Sequence, residues 1–364
     1  MTLSLYIARR FALVFASVFA IFFGLMMLID IVEQVRRFGD STVSFGQAAG
    51  LAALNVPSSL YRILPLVMIL SAIALFLALA RSSELVVIRA TGRSGMRLLA
   101  APVTVAIAIG IVAVMVMNPL VAATSKKYDE LSSRYSRGED SVLSVSPEGL
   151  WLRQGGHDGQ TVIRATRANL EGTRLFGASF LGFSADGRPL FRIEAAEADL
   201  MPGAWQLRDV KRWALDVDNP ERVSITEQTA RLPTDLTRDR IRDSFGEPSA
   251  IPIWQLPAFI ASLDRAGFTA RQHRVWLQME LAQPLFLAAM VLLAAGFTMR
   301  HSRFGGTGTM VLAAVLGGFG LFFLRNFAQV LGDNGQIPVS LAAWSPPVAA
   351  MLLALGLLLH MEDG

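Results

Sequence analysis

The chain contains no cysteine, which removes disulfide frameworks and thiolate metal sites from consideration. Lysine is almost missing too: only Lys126, Lys127 and Lys211 are present, so the net charge of +4 is nearly all arginine. None of the three is followed by Ser or Thr, and a nucleotide-gripping P-loop needs that pair after its glycines. The four histidines, His157, His273, His301 and His360, lie far apart without HExxH-like spacing, and G-x-S-x-G occurs nowhere. A lone histidine is more often a packing or surface residue than a ligand. No catalytic constellation stands out, and no cofactor or metal is expected. Charge itself is scarce: Asp, Glu, Lys and Arg make up 17% of the chain, against about 25% in soluble domains.

What fills the space is apolar. Hydrophobic residues reach 53% and the mean hydropathy is +0.46, more apolar surface than a soluble core can use. Six uncharged runs, 11–29, 63–80, 98–125, 281–299, 304–324 and 337–359, approach or exceed the ~20 residues a helix needs to cross a bilayer. The first, Phe11–Ile29, is longer than a signal-peptide core of about 7–15 residues and reads as an uncleaved signal-anchor. The second is expected to start near Ala48, with Pro57, Arg62 and Pro65 in its outer half. Glu280 precedes the fourth, where it can reach headgroups or a helix partner. Stray backbone groups find no water in lipid, so all six should be helical.

Between Lys126 and Glu280 the longest uncharged stretch, 248–263, is broken by Pro248, Pro252 and Pro257 and will not span. Residues 141–232 show strand grammar instead. Trp213, Leu215 and Val217 alternate with charged or small neighbours, as do Trp205 and Leu207. Asp186-Gly187 supplies a hairpin turn between the apolar segments 175–183 and 189–193. Short strands at close spacing suggest a β-sandwich or jelly roll. Leu256, Phe259, Ile260 and Leu263 then share one helical face, an amphipathic helix expected to lie on the membrane before the fourth span. The predicted fold is a helical membrane protein, three spans and three, around an inserted all-β, jelly-roll-like domain. Its expected segments are 1–125, 126–250, a linker with the interfacial helix over 251–274, and 275–364.

Arginine in the short loops sets the orientation. Arg9 and Arg10, Arg81, Arg89, Arg93 and Arg97, and Arg300 and Arg303 share one face, against Arg36, Arg37 and Arg325 opposite. Both termini are therefore expected inside and the β domain outside. Two features remain. The loop Arg81–Gly92 can form a short helix capped by Ser83 and ended by Gly92. It either rests on lipid or docks a partner, with Glu84 presented to a basic residue. Near the outer boundary gather Arg36, Arg37, Lys126, Lys127, Arg134, Arg137, Arg271 and Arg274. They are either a solvated rim interleaved with acids or a grip on phosphorylated lipid.

The segment Ser83-Glu-Leu-Val-Val-Ile-Arg-Ala-Thr-Gly92 resembles the coupling helix of the LptF/LptG family of lipopolysaccharide export permeases, and the wording of 83–87 leans to its LptG branch. Asp30-Ile-Val-Glu-Gln-Val-Arg-Arg-Phe-Gly39 resembles the outer end of that family's first helix, and Gly149-Leu-Trp151 its early soluble domain. The resemblance covers the chain. It implies a non-enzymatic permease subunit of an ABC exporter in the bacterial inner membrane, with a periplasmic β domain. Its partners would be an LptF-like permease, a cytoplasmic LptB-like ATPase dimer and an LptC-like single-span protein, with lipopolysaccharide as cargo and no nucleic acid. It implies ATPase coupling through Glu84, Leu85, Val86, Ile88 and Arg89. Lipid-phosphate contacts would fall to Arg36 and Arg37, and to Lys127, Arg134 and Arg137 as a second cluster. Asp30 stands where relatives often carry lysine. The paralogous LptF subunit and a membrane-anchored receptor or scaffold are the alternative readings.

Overall fold

The computed structural model describes residues 2–38, 44–82, 84, 95–135, 143–146, 149–156, 159–169, 172–184, 186–217, 219–234, 236–237, 248–266, 269–299 and 307–362. In chain order its α-helices are α1 (Thr2–Arg37), α2 (Phe45–Arg81), α3 (Gly95–Val112), α4 (Asn118–Tyr135), α5 (Leu256–Ala266), α6 (Arg271–Thr298), α7 (Thr307–Asp333) and α8 (Val339–Glu362). A π-helical turn, Ala113–Met117, joins α3 to α4 without a break. Two compact units emerge. One holds Met1–Arg137, Ser249–Trp254 and Arg271–Gly364, the other Gly138–Pro248 and Gln255–Ala270.

The helical unit carries six helices long and apolar enough to cross a membrane: α1, α2, α3 with α4, α6, α7 and α8. They run longer than the uncharged stretches, and α4 continues ten residues past the expected boundary at 125. Ser44 begins α2 with a reciprocal capping box, its hydroxyl accepting from Gln47 N–H while the Gln47 side chain accepts from Ser44 N–H, which satisfies two donors the first turn leaves open. Apolar on every side, α2 is a buried helix by pattern, and Leu64, Met68, Leu75 and Phe76 are fully enclosed. So is most of α6, which packs against α2, α3, α7 and α8. Gly110 of α3 explains one of those approaches: a Cβ there would meet Pro284 Cα at 2.5 Å. α1 and α7 are among the more open helices. Long apolar side chains such as Leu13, Ile21 and Leu28 on α1, and Leu316, Phe323 and Phe327 on α7, stay exposed.

The second unit is one antiparallel sheet of seven strands in sequential order: β1 (Leu143–Ser146), β2 (Gly149–Gly156), β3 (Gly159–Ala168), β4 (Arg174–Ser184), β5 (Pro189–Met201), β6 (Ala204–Ala214) and β7 (Ile225–Pro233). The antiparallel all-β domain is as predicted, and its connectivity is a meander in which each strand pairs with the next. The Asp186-Gly187 turn lies between β4 and β5, with Gly187 at φ 78°. Trp205 and Leu207 are buried. The Trp213, Leu215, Val217 alternation is not a core strand, because β6 ends at Ala214 and Val217 is exposed.

Strict alternation fails along one line. In β4 the buried residues are Leu175, then Ala178 and Phe180; in β5, Ile193 and Ala195, then Ala198; in β6, Leu207, then Val210. In β3, Ile163 and Ala165 give way to Ala168. Each of these four strands thus switches inward parity at this line. The ladder partners lapse at the same place, with Thr166, Gly177, Ala196, Asp209 and Gln228 absent from the registers on both sides. Gly177 and Asp209 hold positive φ there, 60° and 50°, a conformation that suits glycine and costs most other residues. These five residues form a crease, flanked inside by Ala165, Ala178 and Ala195 and by Ala168 and Ala198. Small side chains leave room for the sheet to bend toward its buried face.

The helix expected to lie on lipid does something else. Leu256, Ile260 and Leu263 of α5 are buried, and the helix belongs to the sheet's unit, against β1 and β3. Its apolar stripe is real, but the sheet covers it.

Candidate functional site

Glu84 follows α2 by three residues and is held from two sides. Arg10 Nη1 donates to both of its carboxylate oxygens at 2.8 Å. Ser82 Oγ, just past the end of α2, donates to Oε1 at 2.8 Å. Tyr6 hydroxyl reaches Oε2 at 3.3 Å and itself accepts from Arg10 at 2.8 Å. One turn of helix separates Tyr6 from Arg10, so both face the same point. The Arg10 guanidinium first, and the Ser82 hydroxyl second, keep the Glu84 carboxyl below its ordinary range. The side chain remains about one-third exposed, within reach of a second partner. Of the other predicted coupling residues, Leu85, Val86, Ile88 and Arg89 lie outside the described residues.

At the far end of α1, basic residues of two helices lie near one another. Gln34 of α1 donates to the Tyr128 hydroxyl of α4 at 3.0 Å, and Arg37 reaches the same oxygen at 3.4 Å. This brings the Arg36–Arg37 pair beside the turn of α4 that carries Lys127. Arg36 pairs with Glu33 at 2.9 Å and Lys127 with Glu130 at 3.1 Å, both on exposed side chains. Such pairs are worth about 0–1 kcal/mol, so an incoming phosphate can displace them. Arg134 lies on α4, though its side chain is not described, and Arg137 is outside the described residues. Asp30 is bonded within the chain, accepting from Asn55 of α2 at 3.0 Å. It links α1 to α2.

The whole chain can now be set beside known proteins. The family described as "Lipopolysaccharide export system permease LptF/LptG" matches residues 5–360. The chain belongs to the LptF/LptG family. Among its relatives are the lipopolysaccharide export system permease proteins LptG of Escherichia coli (strain K12) and of Haemophilus influenzae. The first is 25% identical over 95% of this chain and 96% of its own length. The second is 23% identical over 100% of this chain and 99% of its own length. With six apolar helices, this LptF/LptG-family chain is a multi-pass inner-membrane protein.

Two polar residues of this family member sit where sequence reasoning did not put them. Arg325, counted above as a loop cation, lies inside α7, eight residues before its end, with its guanidinium 5.5 Å from the Phe286 ring centroid. Glu280, expected to reach headgroups or a helix partner, lies nine residues into α6, fully buried, and it is the helix partner that it meets. Uncharged windows stop at charges by construction, and these two fall inside helices. A charged side chain inside a membrane bundle is costly and calls for compensating neighbours. Tyr61 of α2 supplies a hydroxyl to Glu280. The long sequence separation of these partners left no local signal.

Proposed function

We propose that this chain is a transport subunit of a lipopolysaccharide exporter, one of two permeases that together form a cavity for the lipid. A separate cytoplasmic ATPase dimer would supply the energy and dock around Glu84, and an LptC-like protein would receive the lipid. The observation that carries the reading is the family match over 5–360. The LptG names of the relatives favour the LptG side of the pair.

The geometry supports a division of labour in this scheme. Glu84 is tied to α1 through Arg10 and Tyr6, so a push on the 83–92 segment reaches α1 directly. α1 and α7 keep open apolar faces suited to acyl chains or to the second permease, whereas much of α2 is already enclosed. Arg36, Arg37 and Lys127 then stand at the rim, where guanidinium groups suit phosphate. In this reading both termini are cytoplasmic and the β domain is periplasmic.

The test is affinity capture of tagged full-length protein from native membranes, wild type against Glu84→Ala. Capture of a soluble ATPase and a second six-span permease, with the ATPase weakened about tenfold or more by Glu84→Ala, is the expected result. Wild-type protein that comes down without an ATPase sinks the export reading and leaves the receptor or scaffold in its place.

A further inference from the structure

The last two turns of α1 hold more polar chemistry than a salt-bridged rim needs. Asp30, Gln34, Arg37 and Phe38 stand at i, i+4, i+7 and i+8, so one face of the helix carries all four. Asn55 of α2 donates to Asp30 Oδ1 at 3.0 Å. Gln34, 2% exposed, bonds through its amide to the Tyr128 hydroxyl of α4 at 3.0 Å, and Arg37 Nη1 donates to the same hydroxyl at 3.4 Å. Two buried acceptors on this face, Asp30 Oδ2 and Gln34 Oε1, have no partner. Orphaned buried polar atoms are costly, and two of them about one turn apart call for a common cause.

The Gln34 amide supplies it. The two ends of an amide are alike in shape, and the neighbours decide which way it lies. With Nε2 on Tyr128, both Gln34 and Arg37 point donors at one phenol oxygen, and two acceptors are left facing each other's side of the helix. With the amide turned over, the Tyr128 hydroxyl donates to Gln34 Oε1, and Nε2 becomes a donor on the side of Asp30. Every bond then runs one way: Arg37 to Tyr128, Tyr128 to Gln34, Gln34 to Asp30. The chain begins on a guanidinium and ends on a carboxylate, and bonds in such a series polarise one another.

Arg37 is therefore seated more firmly than its basic neighbours. Its guanidinium lies 5.6 Å from the Phe38 ring centroid, and buried Phe38 meets Tyr135 of α4 edge-on at 6.2 Å. Tyr128 takes one of the five N–H donors of an arginine and leaves the rest for a ligand. Arg36 pairs with Glu33 of its own helix, on a side chain 77% exposed, and Lys127 pairs in the same way with Glu130. A group already held in place loses less freedom on binding than a loose one.

We propose that Asp30, Gln34 and Tyr128 are positioning residues that seat Arg37 as the principal phosphate-binding side chain of this rim, with Arg36 and Lys127 as loose auxiliaries. The ligand class is a phosphate group, and the proposal rests on the export reading for the lipid that carries it. Asp30 lies two turns back from the arginine and anchors the chain without touching the ligand.

The test uses full-length protein in maltoside micelles. One readout is binding of lipopolysaccharide, of lipopolysaccharide stripped of its phosphates, and competition by inorganic phosphate. The other is the rate at which phenylglyoxal modifies Arg36 and Arg37, read residue by residue by mass spectrometry. Arg37→Ala is expected to weaken binding of the phosphorylated lipid about tenfold, and Arg36→Ala less than about twofold. Tyr128→Phe and Asp30→Asn should each cost about threefold, and nothing further once Arg37→Ala is present, because they act through Arg37. The same two variants should raise the modification rate of Arg37 and leave that of Arg36 unchanged. The proposal is overturned if Arg36→Ala costs as much as Arg37→Ala, or if Tyr128→Phe weakens binding equally in the Arg37→Ala chain. It is also overturned if Asp30→Asn matches the wild type, as it would for a protonated carboxyl donating to Gln34. Inorganic phosphate that displaces the lipid supports a site for phosphate as such, and a lipid it cannot displace supports a site for the phosphorylated headgroup. If the wild type binds the stripped lipid equally well, the phosphate grip of the export reading falls instead. The modification rates then decide the seat alone, and an Arg37 rate unchanged in both variants overturns it.

Discussion

Among the described residues Glu84 is held by Arg10, Ser82 and Tyr6, so the direction of its titration is predictable. Arg10 and Ser82 stabilise the carboxylate, so its pKa in the folded chain lies below the unfolded value. That contribution is complete above the unfolded pKa, about 4.3 for Glu, and fades as pH falls through the folded one. Carbon-detected NMR of labelled Glu84 should therefore give a midpoint below the ordinary range, and Arg10→Ala should raise it towards normal. An unchanged midpoint in Arg10→Ala would mean that the pair does not hold in solution. Asp209 offers a second test at this scale. Its φ of 50° costs an L-residue with a Cβ roughly 1–2 kcal/mol, less for Asp than for most. Asp209→Gly should leave stability level or raise it by up to about 1 kcal/mol, and Asp209→Val should lower it by more than that. Thermal unfolding of the full chain, followed in the β signal, reads both. Individual residues were partly legible in the sequence: Glu84, Arg36 and Arg37 stood out by type and spacing. Arg10 as the partner of Glu84 did not, because the two are 74 positions apart and meet only when α1 lies beside α2.

At the scale of elements, glycine decides how closely helices pass. Of the glycines crowding 305–320, Gly317 and Gly318 stand against α6 and α2, Gly308 and Gly320 face open space, and Gly305 and Gly306 lie outside the described residues. For Gly317 and Gly318, close packing is the observed role. Gly318→Ala should cost about 1–3 kcal/mol through overpacking, and Ile69→Ala in the same chain should recover part of it. Unfolding in detergent with both single changes and the pair would check this, and simple additivity would argue against the contact. Most helices were legible from hydropathy, yet their ends were not, because Glu280 and Arg325 read as boundaries and prove to be interior. The strands were legible where alternation ran unbroken. They were obscured at the crease, where a shift of one residue turns the pattern over. The amphipathic stripe of α5 was read correctly, but periodicity names no partner, and a sheet satisfies it as well as lipid does.

For the molecule as a whole, the orientation inferred from arginine is open to a direct test. Single cysteines at Asp186 in the β4–β5 turn and at Arg81 at the end of α2 would each be the only thiol in this chain. An impermeant maleimide added to spheroplasts should label the first and spare the second until the membrane is opened. The reverse pattern would invert the topology and remove the ATPase from reach of Glu84. The same geometry carries an arithmetic consequence. α1 is uninterrupted over 36 residues, about 54 Å at 1.5 Å per residue, with the Glu84 clamp near one tip and Arg36–Arg37 at the other. A rod of that length tilting by about 10° around its clamped end sweeps its far tip through roughly 9 Å. In the export reading proposed above it would act as a lever, turning a small rotation at the Glu84 end into a displacement of the Arg36–Arg37 end as wide as a lipid headgroup.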